Sequence, residues 1–146
     1  MLTQQAPSKT SRAVGTRVPT WLDWVLRVVP ALILLQTLFF KFTAHPDSVY
    51  LFTQVGVEPW GRITLGVFEL IAAVLLLIPA TARFGALISV GMMVGAIGAH
   101  LFQLGIVVNG DGGSLFALAV TTLLFSAAVF LVRREPVPVL SKFIKI

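Results

Sequence analysis

The sequence predicts an all-α membrane protein: a four-transmembrane-helix bundle with a short interfacial helix between the first and second spans. Three observations carry that prediction. The chain is 57% hydrophobic and only 12% charged, with a mean hydropathy of +0.94, whereas an ordinary soluble domain is roughly 45–50% apolar and about 25% charged. Four apolar stretches, Trp21 to Phe42, Gly61 to Pro79, Ala82 to Val108 and Ser114 to Val132, are each long enough to cross the ~30 Å hydrocarbon core. Finally, no polar block among the 146 residues is long enough to fold separately. The chain therefore divides into a polar tail (1–20), a membrane domain (21–134) and a short basic tail (135–146).

The first tail carries Lys9, Arg12 and Arg17 with no acidic residue. It has some of the composition of a transit peptide, but it is short and its amphipathic periodicity is weak. The first apolar stretch is too long for the core of a secretory signal, and no A-x-A-like cleavage site follows it, so it is expected to remain as a helix. Within it Asp23 and Arg27 stand four residues apart and can pair across one turn. Trp21 and Trp24 suit the membrane interface.

Pro46 is expected to end this helix and Asp47 to cap the next, a short interfacial helix through Val49 to Val55. Simple packing at headgroup depth, with Tyr50 and Trp60 as anchors, is set ahead of a role as a lid over a cavity. Gly56, Pro59 and Gly61 then turn the chain into the second span. The few residues from Ala80 to Arg83 force the second and third spans into an antiparallel hairpin. Asn109 to Gly113 make the last turn, with glycines for positive φ and Asn and Asp for side-chain closure.

Basic residues set the expected orientation. Lys9, Arg12, Arg17, Arg83, Arg133, Arg134, Lys142 and Lys145 border one face, and only Lys41 and Arg62 border the other. By the positive-inside rule both termini are cytoplasmic, in a multi-pass protein of the cell inner membrane. The net charge of +5 thus reports topology, and no nucleic-acid site is read from it.

The polar residues inside the spans are the candidate site. Glu69 lies about 12 Å inside the second span, counted from Gly61 at 1.5 Å per residue. His100 in the third span reaches a similar depth, with Gln103 one turn nearer the surface. Lys41 closes the first span, with Gln36 and Thr37 below it. A charge at the centre of a span costs about 2.5–3.5 kcal/mol on insertion scales, so Glu69 needs a partner; Lys41 is the first choice, Arg62 the second, and a protonated Glu69 the third reading. Ser89, Met93, Ala96, His100 and Gln103 form one stripe of the third span. Gly91, Gly95 and Gly98 fall on a roughly opposite side, where a second backbone can approach. Gly66 and Ala73 flank Glu69 and admit a neighbouring helix. A polar clasp that only fixes helix register is the competing account of the whole cluster.

Certain chemistries are excluded. With no cysteine there are no thiolate metal sites, iron–sulfur ligands or thiol relays. The second histidine, His45, sits in a loop, so no metal or axial haem pair is expected and no cofactor is intrinsic.

LFFKF at the end of the first span, the segment holding VGVEPWG, and FELIAAVLLLIPATARFGALI before a His-bearing third span resemble the DoxX family of small four-helix membrane proteins. The resemblance runs from about Trp24 to Arg134. Its most specific parts are Lys41, Glu69 with its apolar LLLIP run, and the basic turn at Arg83. Founding members of that family are associated with thiosulfate:quinone oxidoreductase, and others with membrane oxidoreductase assemblies and oxidative-stress resistance. The resemblance therefore implies an accessory or quinone- and lipid-binding subunit, with quinone the one expected cofactor. Membrane lipid, a soluble or membrane redox protein and further copies of the chain are the expected partners. Lacking cysteine, a flavin motif and a haem ligand pair, the chain is not expected to catalyse redox chemistry alone. Lys41 and His100 would meet quinone carbonyls while Glu69 handles a proton. Two other functions remain open, a small proton-coupled transporter and a non-catalytic scaffold. Small multidrug transporters also carry a lone membrane Glu, but in the first helix; here the Glu is in the second, with a Lys nearby that would repel a cationic substrate.

The orientation is directly testable. Cysteines introduced singly at Ser8, Asp47, Asp111 and Ser141 are expected to react with an impermeant thiol reagent in intact cells only at the middle two positions; external labelling at Ser8 and Ser141 reverses the topology.

Overall fold

The computed structural model describes residues 18–133. Both terminal segments fall outside them apart from residues 18–20, and with them Lys9, Arg12, Arg17, Arg134, Lys142 and Lys145. The described residues form five α-helices and no strand: α1 (Thr20–Phe42), α2 (Pro46–Val55), α3 (Trp60–Leu77), α4 (Ala82–Ala99) and α5 (Ser114–Val132). Helix α4 runs on into a π-helical segment, His100–Leu104. Four helical stretches are long and apolar enough to cross a membrane, α1, α3, α4 with its π extension, and α5. Their outward sides carry uncovered Leu32, Val94, Leu124 and Leu131, the surface expected of a bundle solvated by lipid.

The long helices form a ring in the order α1, α3, α4, α5 and back to α1. Helices α3 and α5 therefore face each other across the centre, as do α1 and α4. Small residues set how closely the ring closes. Ala31, Ala72, Ala73, Ala82 and Ala86 are wholly buried, together with Leu34, Leu76 and Val129. Ser126 donates to or accepts from Ser89 at 2.8 Å between α4 and α5. The expected close contacts differ at one helix: a Cβ on Gly91, Gly95 or Gly98 would meet nothing within 4 Å. The close approach is instead at Gly85, where a Cβ would fall 2.7 Å from the Leu76 backbone nitrogen and 2.9 Å from the Ala72 carbonyl oxygen. This follows from the short hairpin, since helices joined by a tight turn are closest beside it.

One end of the bundle, called here the Arg27 end, is clamped by charge. Arg27, 1% exposed, donates from Nε to Asp23 at 3.1 Å, as its spacing predicted. It also donates from Nη1 to the carbonyls of Leu76 and Leu77 at 3.2 and 3.0 Å, which the last turn of α3 leaves without helical partners. Arg133 grips both Asp23 oxygens, at 2.9 and 2.7 Å, and so ties α5 to α1.

The opposite, Lys41 end is looser and built from loops. Helix α2 starts differently from expectation: His45 is its N-cap, accepting from the Asp47 backbone N–H, with Pro46 in the first turn. Proline lacks the N–H that a first turn leaves unsatisfied, so it starts this helix well. Asp47 is thereby freed to accept from Asn109 at 3.1 Å, which links α2 to the α4–α5 loop. Asp111 organises that loop, accepting backbone N–H bonds from Leu115, Val108 and Gly113 at 3.0, 2.8 and 2.9 Å. Those bonds, led by the one from Leu115, hold its carboxyl below the ordinary aspartate value.

The glycine contacts yield a stability test. Gly85→Ala is expected to cost about 1–3 kcal/mol, because backbone rather than a flexible side-chain tip must move. Gly98→Ala, with open space around it, is expected to be neutral or to stabilise by up to ~1 kcal/mol through helix propensity. Thermal unfolding in detergent separates the two outcomes.

Candidate functional site

All four membrane helices and α2 surround a cavity of about 370 Å³ near the Lys41 end. Its walls are apolar side chains or glycine, Phe52 among them, except at five polar side chains: Thr37 and Lys41 from α1, Glu69 from α3, His100 from the end of α4 and Thr122 from α5. Each long helix thus supplies at least one polar group to an otherwise apolar space.

The ion pair is the strongest of these contacts. Lys41 Nζ lies 2.9 Å from Glu69 Oε2, with the two residues 9% and 3% exposed. Thr37 lies one turn before Lys41 on the same face, and its hydroxyl reaches Glu69 Oε2 at 2.9 Å and the Leu34 carbonyl at 2.8 Å. It has one proton to give, so it serves one of those acceptors at a time. Close helix packing makes the ion pair reachable: the Phe42 ring covers Gly66, leaving only 3.1 Å to a Cβ placed there.

His100 is positioned by the π-helical segment. The Gly105 N–H reaches back to the His100 carbonyl at 2.8 Å, an i to i+5 bond. His100 Nδ1 in turn lies 2.8 Å from the Gly105 carbonyl oxygen. A carbonyl only accepts, so Nδ1 carries the hydrogen and Nε2 of the neutral ring keeps its lone pair. Phe116 of α5 packs edge-on against the ring. The imidazole is therefore held from two sides, and a π segment commonly marks such a functional position.

Two glutamines expected in the cluster are not there. Gln36 and Gln103 are both exposed on the outside of the bundle. Gln36 sits about 140° around the helix from Lys41 at 100° per residue, so when Lys41 faces inward Gln36 cannot. Gln103 leaves the stripe of Ser89, Met93 and His100 because the wide π turn delays the rotation that a regular α-helix would have completed. Arg62 is not a partner of Glu69 either. Its Nε lies 2.9 Å from both carboxylate oxygens of Glu58 and its Nη2 2.7 Å from Oε1. Arg62 Nη1 also donates to the Lys41 carbonyl. A guanidinium at that carbonyl satisfies the C-terminal turn of α1 and opposes the helix dipole.

Helix α2 lies over the cavity. It contributes Leu51, Phe52 and Val55 to the lining, while Tyr50 points away and is exposed. The segment therefore packs as an interfacial helix and covers the cavity at once. Beyond it a smaller space of about 300 Å³, lined by Asp47, Ser48, Asn109, Asp111 and Ser114, shares Thr37, Lys41, Leu51, Phe52 and Leu115 with the first. Lys41 stands where the two meet.

Neither Glu58 nor Thr122 carries a signal in the sequence that marks it for the site. Glu58 is four residues before Arg62, a spacing that signals a helical ion pair only once α3 is known to start near Trp60. Thr122 and Ser126 are hydroxyls four residues apart in an apolar span, a pattern that marks one face but not what the face meets.

Chemically, the site offers an ammonium and a hydroxyl as donors, a carboxylate and an imidazole nitrogen as acceptors, and apolar walls. Such a set is chemically suited to the polar head of a largely apolar molecule and to proton exchange with it. Among the described residues no cluster of side chains fits a metal ion.

The ion pair can be measured by a double-mutant cycle. Lys41→Met or Glu69→Gln alone is expected to lower stability by about 3 kcal/mol by stranding the other group. The double variant should recover most of that loss, a coupling well above 1 kcal/mol in detergent unfolding. Losses that simply add would show that the two side chains do not depend on each other.

The site lies inside the stretch that relates this chain to known proteins. No curated protein matches it, and no solved structure does. The profile of the DoxX-like family matches residues 25–129, from the first turns of α1 to the last turn of α5, and takes in Lys41, Glu69 and His100. This integral membrane protein belongs to the DoxX-like family.

Proposed function

We propose that the protein is an accessory subunit of a membrane oxidoreductase system that holds a quinone-class lipid by its polar head in the outer half of the bundle. The observation that carries this reading is the Lys41–Glu69 pair in the wall of an otherwise apolar cavity of about 370 Å³, a size within the usual range for small-molecule sites. A group held only to fix helix register has no need of adjoining space. Lys41 donates to a ring oxygen, Glu69 exchanges a proton with it, and His100 supplies an acceptor for a ring hydroxyl when the ligand is reduced.

The tail of such a ligand has a route out. Gly91 and Gly95 line the cavity and are exposed, with no side chain closing that wall. Helices α3 and α4 are in backbone contact at Gly85, whereas a Cβ on Gly91 or Gly95 would meet nothing within 4 Å. The basic residues favour an inner-membrane location with both termini cytoplasmic, which places the Lys41 end and its smaller vestibule toward the outside. A proton-coupled exporter of cations is less well supported, since Lys41 at 2.9 Å from Glu69 opposes a positive substrate.

Purification in mild detergent, followed by mass spectrometry of copurifying lipids, quinones and proteins, tests this reading. The wild-type chain is expected to retain quinone together with a redox protein. The Lys41→Met, Glu69→Gln double variant is expected to fold and lose at least about 90% of the quinone, the effect of about 1.4 kcal/mol or more in affinity. A stable double variant that keeps its quinone makes the pair a structural clasp. A wild-type protein that neither retains nor binds added quinone overturns the reading.

A further inference from the structure

Two neighbouring threonines on α5 are treated differently. The exposed Thr121 donates its hydroxyl to the Ala117 carbonyl at 2.8 Å, the ordinary bond back along a helix. Thr122, 0% exposed, has no hydrogen-bond partner for its hydroxyl among the described residues. One turn further along, Ser126 is satisfied by Ser89 of α4. The antiparallel α4 brings Met93, one turn from Ser89, to the level of Thr122, and a thioether is at best a weak acceptor. Both Met93 and Thr122 line the large cavity. A buried hydroxyl without a partner is unfavourable, and the space it faces is where a partner can enter.

Its placement says what kind of partner. Helices α3 and α5 are diagonal in the ring, and both start at the Lys41 end. Glu69 is nine residues into α3 from Trp60 and Thr122 eight into α5 from Ser114, so each lies about 12–14 Å along its helix. Glu69, with the Lys41 ammonium on its carboxylate, and Thr122 thus stand at similar depth on helices that face each other across the ring. Between them the lining is apolar, with His100 to one side. A ligand with one polar end satisfies one wall only. A ring with a polar atom at each of two opposed positions satisfies both.

We propose that Thr122 is the second hydrogen-bonding pole of the site, donating to the far carbonyl of a para-quinone whose near carbonyl meets Lys41, and that it selects two-carbonyl rings over single-headed lipids. This rests on the quinone-class reading of the same cavity and adds to it the residue that discriminates between ligands. Thr122 needs no part in proton or electron transfer; it binds and orients the ring.

The test uses the full chain in detergent with two probes of equal tail length, a prenylated para-benzoquinone and its mono-ketone analogue. Thr122→Val replaces the hydroxyl by a methyl group, and without ligand it is expected to unfold at the wild-type temperature or above. It should bind the quinone about tenfold more weakly, the effect of one hydrogen bond, while its affinity for the mono-ketone stays as in wild type. Thr122→Ser should restore quinone binding to within about twofold of wild type, the hydroxyl being the group that matters. Thr122→Ala reads the same loss should the valine variant fold poorly. Unchanged quinone affinity in both hydroxyl-free variants, with binding still lost in Lys41→Met, overturns the role of Thr122 and leaves the quinone reading standing. Equal loss of both probes makes Thr122 a packing residue and also overturns it. Failure of the wild-type chain to bind either probe removes both readings together.

Discussion

The ion pair between Lys41 and Glu69 is the constraint around which one half of this bundle is arranged. A charge inside a span costs about 2.5–3.5 kcal/mol on insertion scales, and the pair is tolerable only while its geometry holds. Lys41 is fixed at two points: its ammonium on Glu69 and its carbonyl on Arg62. Arg62 is in turn held by Glu58, so the start of α3 and the end of α1 are one unit. Small residues on α3, Gly66 under Phe42 and the buried Ala72 and Ala73, let α1 come close enough for a lysine to reach the carboxylate. Removing any of these parts leaves a charge without its counterpart, which is far costlier than losing the pair as a whole.

The two ends of the bundle solve the same problem in opposite ways. At the Arg27 end, Arg27 and Arg133 share Asp23 and cover the last carbonyls of α3, while Gly85 brings two backbones into contact. Every polar group named there is used up in holding helices together. At the Lys41 end the polar groups border empty space. Ser89 and Ser126 satisfy each other, and one turn beyond them the Thr122 hydroxyl has no partner among the described residues. A bundle clamped at one end, with its cavity toward the other, offers a ligand a pocket without losing its register, because rigidity at the clamp does not depend on what fills the pocket.

Helix phase explains why some candidate residues were legible and others were not. The depths of Lys41, Glu69 and His100 follow from counting residues along rigid rods, so their convergence on one level was open to reading in one dimension. Depth groups Gln36 with Lys41, but the helical phase between them, five residues at 100° each, puts it on another face. Gln103 could not have been placed this way: the π turn after His100 changes the phase, and nothing local in HLFQL announces an i to i+5 bond. Arg62 has a plausible partner four residues before it and another two turns after it, and the choice of Glu58 was settled by where α3 begins.

Along the chain alone, the residues already establish a membrane bundle, the number of its spans, the places of its hairpin turns and the need of Glu69 for a partner, because hydropathy, helix rise and the cost of buried charge act within the sequence. It also determined the family, since the residues around Lys41 and Glu69 carry that pattern. Helix packing settled which glycine receives a neighbouring backbone, which arginine caps α1, that α2 covers a cavity, and that Thr122 lines it with no hydrogen-bond partner among the described residues. These are relations across the ring of helices, set by how close two helices come and at what rotation, and no spacing within one helix contains that information.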